Sequence, residues 1–118
     1  MNIKLTIPDS ISENVLIAPN GNSWQKATSS DIWFGVVQSP LDGRWPIDGD
    51  DQNSNAQVCF SGLCLARAAE NIPDSGGPID IINGEVRVGS GSSIGFILPL
   101  EAGQASRVTG DLVEIFIR

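Results

Sequence analysis

"GEVRVGSGSSIGFILPL", residues 84–100, decides between two kinds of protein. Gly89, Gly91 and Gly95 fall in the order G-x-G-x-x-x-G, a spacing that can cradle a phosphate if a helix follows and aims its N–H groups at the anion. Here Gly95 is followed by "FILPL", an apolar run with Pro99 near its end, and the segment holds no lysine. The context that a nucleotide loop requires is missing. The stretch therefore reads as strand, turn, strand: Gly89 and Gly91 supply positive φ, and Gly95 marks a close backbone approach.

The residues on either side follow the same period. "PIDIINGEVRV" (78–88) is a hairpin around Asn83-Gly84, and "LVEIFIR" at the end of the chain puts Val113, Ile115 and Ile117 on one face with Glu114 and Arg118 on the other. Ile3, Leu5 and Ile7 alternate with polar residues until Pro8. "VLIA" (15–18) is a short apolar run stopped by "PNGN", with Asn20-Gly21 as the turn, and "DIWFGVV" (31–37) reads as a buried strand. "AQVCFSGLCLARA" (56–68) allows two readings. In one, Ser61-Gly62 is a hairpin turn that sets Phe60 against Leu63 and Val58 against Leu65. In the other, one long strand kinks at Gly62. There is no strict internal repeat. These segments predict an all-β chain, a small single-domain β-sandwich or β-barrel.

Composition agrees. The 118 residues suit one domain, and 41% apolar against 18% charged residues is a globular balance. Thirteen glycines and seven prolines fit short strands joined by tight turns. The net charge of −7 and a pI near 4.2 speak against nucleic acid and against an anionic membrane, both of which call for clustered Lys and Arg. "MNIKLTIPDS" alternates and lacks the apolar core of a signal peptide, so synthesis in a reducing cytoplasm is expected. That compartment predicts Cys59 and Cys64 as two buried thiols rather than a bridge beside a tight turn.

Candidate chemistry is sparse. With no histidine in the chain, the commonest general base and zinc nitrogen ligand are missing. Asp48, Asp50, Asp51 and Asn53 in "DGDDQN" offer hard oxygens, but the EF-hand order fails and no Glu closes the loop, so a solvated acidic loop within residues 39–55 is the reading. No catalytic residue, cofactor or metal is expected, and no enzyme. Trp33 reads as core. Trp24 and Trp45 stand in polar, turn-rich surroundings, either as interface anchors or as caps over a barrel end.

Taken together, "VLIAPNG", "FGVVQ", "VCFSGLCLARAA", "NGEVRVGSGSSIGFILPLEAG" and "GDLVEIFIR" resemble the small β-rich decoration, or cement, proteins of tailed-bacteriophage capsids, over about residues 13–118. The resemblance implies a β-tulip-like fold and a homotrimer bound to the major capsid protein at threefold positions of the assembled shell. It also implies a place on the capsid exterior of the virion, after synthesis in the host cytoplasm. Residues 1–12 are then expected as an N-terminal arm before a β-domain of 13–118. Candidate interface residues are Ile3, Leu5 and Ile7 on the arm, with Trp24 and Trp45. The alternative is a carbohydrate- or host-surface-binding module that uses the tryptophans as stacking platforms.

Overall fold

The computed structural model describes residues 2–8, 10–28, 35–40, 53–89 and 95–118. Ten strands are found among them, with no helix: β1 (Asn2–Pro8), β2 (Leu16–Asn20), β3 (Ser23–Lys26), β4 (Gly35–Pro40), β5 (Asn53–Cys59), β6 (Gly62–Arg67), β7 (Gly77–Ile82), β8 (Glu85–Val88), β9 (Gly95–Ile97) and β10 (Leu112–Ile117). They form two five-stranded antiparallel sheets, in the orders β1-β5-β4-β2-β3 and β6-β10-β9-β7-β8. The all-β expectation is met.

The second order is the first with every label raised by five. The chain thus lays down the same strand order twice, once on each side of Phe60–Ser61, although its sequence carries no strict repeat. Strand order depends on which backbones pair, and many apolar sequences satisfy one pairing. In the second sheet the outer edges meet: Ala68 and Val86 form a parallel bridge, and the Ala69 N–H donates to the Val86 carbonyl at 2.7 Å. That sheet is a nearly closed barrel.

Two apolar clusters hold the molecule together. One contains Ile79, Ile81, Val86, Ile97 and Ile115 of the second sheet together with Leu16, Ala18 and Val36 of the first. The other contains Ile7, Ile11, Val15, Ile17, Val37 and Val58, with Leu5, Trp24 and Phe60 packed on it. Leu16 and Ala18 therefore face one core while Val15 and Ile17 face the other. All four are buried, which explains why "VLIA" is a continuous apolar run instead of an alternation.

Turn chemistry follows the residues. Asn83 (φ 47°) and Gly84 (φ 83°) both take positive φ between the paired Ile82 and Glu85, as the Asn-Gly signal requires. The other hairpin shifts by one residue. Asn20 pairs with Ser23, so Gly21 and Asn22 are its central positions. Asn14, at φ 64°, is buried, and its side-chain Nδ2 donates across to the Leu65 carbonyl at 3.1 Å, tying the first half of the chain to the second.

Several expectations are corrected. Residues 56–68 make neither a hairpin nor a single strand. β5 belongs to the first sheet, pairing with β1 and β4, and β6 to the second, pairing with β10. Val58 stands opposite Ile3 and Val37, not Leu65. The chain turns a corner at residues 60–61, and Cys59 and Cys64 form a disulfide across it; they are not two thiols. Both sulfurs project into the shared core, a proximity set by the change of sheet and not by a tight turn. Asn2–Pro8, expected in an N-terminal arm of residues 1–12, pair residue by residue with β5 of the same chain, from Asn2–Cys59 to Pro8–Asn53. Strands β4 and β5 run into the expected 39–55 loop at both ends. Gly89 does not take positive φ. A Cβ there would lie 2.5 Å from that of Asp80, so glycine is kept for closeness. Gly95 does mark a close approach, with the Phe116 carbonyl oxygen 2.3 Å from where its Cβ would stand.

Candidate interaction surface

Strands β6, β9 and β10 turn one side chain in two toward the core and the next toward water. On β10, Val113, Ile115 and Ile117 are buried while Leu112, Glu114 and Phe116 are exposed. On β6, Cys64 and Ala66 point in and Leu63 and Leu65 out; on β9, Ile97 points in and Phe96 out. Register then brings the outward residues into line. Phe116 lies opposite Leu63 on one side and Phe96 on the other. Phe96 in turn lies opposite Pro78.

The result is an apolar row across the outer face of the barrel formed by the second sheet. Leu63 is 64% exposed, Phe96 39% and Phe116 36%, and the two rings stack with centroids 5.6 Å apart. Scattered surface leucines are ordinary; here the exposed apolar residues are instead aligned by the strand register. Beside it, Leu65 (40%) and Leu112 (47%) extend the patch to the mouth of a groove of about 490 Å³. Its apolar lining includes Leu98, Pro99 and Val113, and its charged lining includes Glu101, Glu114 and Arg107. Both Arg107 terminal nitrogens are engaged: Nη1 donates to the Leu98 carbonyl at 2.6 Å and Nη2 to the Pro73 carbonyl at 2.8 Å.

The residues expected to make the interface are placed differently. Ile3, Leu5 and Ile7 share one face of β1, toward the core of the first sheet. Ile7 is fully buried there, Leu5 packs on the cluster, and Ile3 alone of the three is exposed. Trp24 is half-buried with its ring 5.9 Å from that of Phe60, a position that caps this cluster. Trp45, like Trp33, Gly91, Asp48, Asp50 and Asp51, lies outside the described residues; Asn53 opens β5. The outer row was missed because reading β10 by its buried face drew attention from Leu112 and Phe116. The signal was present: β10 carries large apolar residues on both faces and β6 carries Leu63 and Leu65 on its outer one, which a one-sided strand does not need.

The fold and this surface define an all-β protein with an exposed apolar face. Comparisons with protein-family models, with curated proteins and with solved structures find no match.

Proposed function

We propose that this protein is a non-catalytic binding module that attaches, as a homotrimer, to the major capsid protein on the outside of an assembled tailed-phage shell and stabilises it. The observation that carries the reading is the exposed row Leu63–Phe116–Phe96 on a barrel whose strands are fixed by the core it shares with the first sheet. Contacts of this kind suit a rigid sheet, because little conformational freedom is lost when the face is covered. The resemblance of the strand-and-glycine pattern to decoration proteins supports the choice of a shell as the partner. Many copies on one lattice let modest single contacts add up. Trp24, half-buried against Phe60, is less suited to act as an open stacking platform for a sugar.

Co-sedimentation with undecorated shells is the test. Purified protein should saturate a fixed set of sites and raise the temperature at which the shells rupture, since a ligand of the intact lattice stabilises it by mass action. Absence of both effects, with a melting shift on a glycan array instead, would move the protein to the carbohydrate-binding class.

A further inference from the structure

We propose that the groove between β10 and the 98–107 segment is a peptide-binding site that takes a segment of a partner protein carrying both large apolar and basic side chains. The apolar half of this specificity comes from Leu65, Leu98, Pro99 and Leu112, which give the groove walls that an aliphatic side chain can cover. Leu65 and Leu112 are exposed at its mouth, so such a side chain reaches them without rearrangement.

The basic half comes from charge. Glu101 and Glu114 lie exposed along the groove, with Asp111 also lining it. The one cation in the lining, Arg107, spends its terminal N–H groups on the Leu98 and Pro73 carbonyls. Arg107 keeps its charge, but the three carboxylates of the lining outnumber it, so the groove is net negative on a chain that is itself at −7. A second copy of this chain brings like charge to that rim. Lys4, Arg67 and Arg87, its basic residues flanked by apolar ones, lie within paired strands. A basic–apolar segment from another protein meets the groove with complementary charge and complementary surface.

The inference stands apart from the shell reading, and its measurement contains no shell. Short labelled peptides of alternating Lys and Leu, of Lys and Ser, and of Glu and Leu are titrated into the full chain by fluorescence anisotropy, with amide NMR shifts followed in parallel. The Lys/Leu peptide should bind, with shifts at Leu65, residues 98–107 and residues 111–114. The other two should bind roughly tenfold more weakly or less. Glu101→Lys combined with Glu114→Lys, and separately Leu112→Ser, should each weaken the Lys/Leu peptide by roughly tenfold with an unchanged melting temperature. All three positions are exposed, so the fold is retained. Equal binding of the Lys/Ser peptide would reduce the effect to bulk charge and overturn the proposal. So would shifts elsewhere on the surface, failure of the Lys/Leu peptide to bind, or a self-association that Leu112→Ser abolishes, which would give the groove to a second copy.

Discussion

Phe96 on β9 and Phe116 on β10 stand directly opposite each other, with stacked rings 5.6 Å apart, on the face of the barrel that meets water. An aromatic pair in that position adds about 0.5–1.5 kcal/mol beyond its area. Its larger consequence is for contact, since the rings are already ordered before a partner arrives.

Replacing both rings, by Phe96→Ser with Phe116→Ser, should lower stability by only about 1–2 kcal/mol in urea unfolding. Binding to the partner surface should fall much further, by about 2 kcal/mol or more per subunit. A variant that melts normally and still attaches at wild-type strength would remove the row from the interface.

Deletion of residues 1–8 should unfold the first sheet. β1 is the whole partner of β5 on one side, and Ile7 is buried in the core beneath. Loss of cooperative melting on truncation is the expected outcome; a truncated chain with an intact NMR spectrum would make the strand dispensable.

Thiol titration under denaturing conditions should find no free thiol, because Cys59 and Cys64 are bridged. Substituting both by serine should lower stability by about 2 kcal/mol, the chain-entropy value for so short a loop. The measurement is a pair of urea curves at equal protein concentration.

Two glycines of nearly equal φ should respond differently to alanine. At Gly76 (φ 64°) a Cβ would stand 2.2 Å from the Ile97 carbonyl oxygen, whereas at Gly21 (φ 62°) nothing lies within 4 Å. Gly21→Ala should cost about 1 kcal/mol from backbone strain alone. Gly76→Ala adds a backbone clash and should cost about 3 kcal/mol or more, read as the difference between two thermal melts.

Local chemistry was enough to determine much of this protein from its sequence. Asn83-Gly84 dictates its turn because both residues accept positive φ, and Val113, Ile115 and Ile117 dictate the buried face of β10 because strand side chains alternate. Phe96 and Ile97 of "FILPL" continue the strand that Gly95 opens, as their β-propensity favours. What the sequence left open concerns which strands meet. The bridge between Cys59 and Cys64 depends on β5 and β6 joining different sheets, which no spacing of five residues encodes. Burial of Ile7 depends on β1 finding β5, about fifty residues away in the chain, and the second use of one strand order leaves no strict repeat to read. The outer row and the groove belong to the same class. Leu63, Phe96 and Phe116 are ordinary apolar strand residues until cross-strand register aligns them, and register is set by long-range pairing under a buried face, which only the tertiary structure decides.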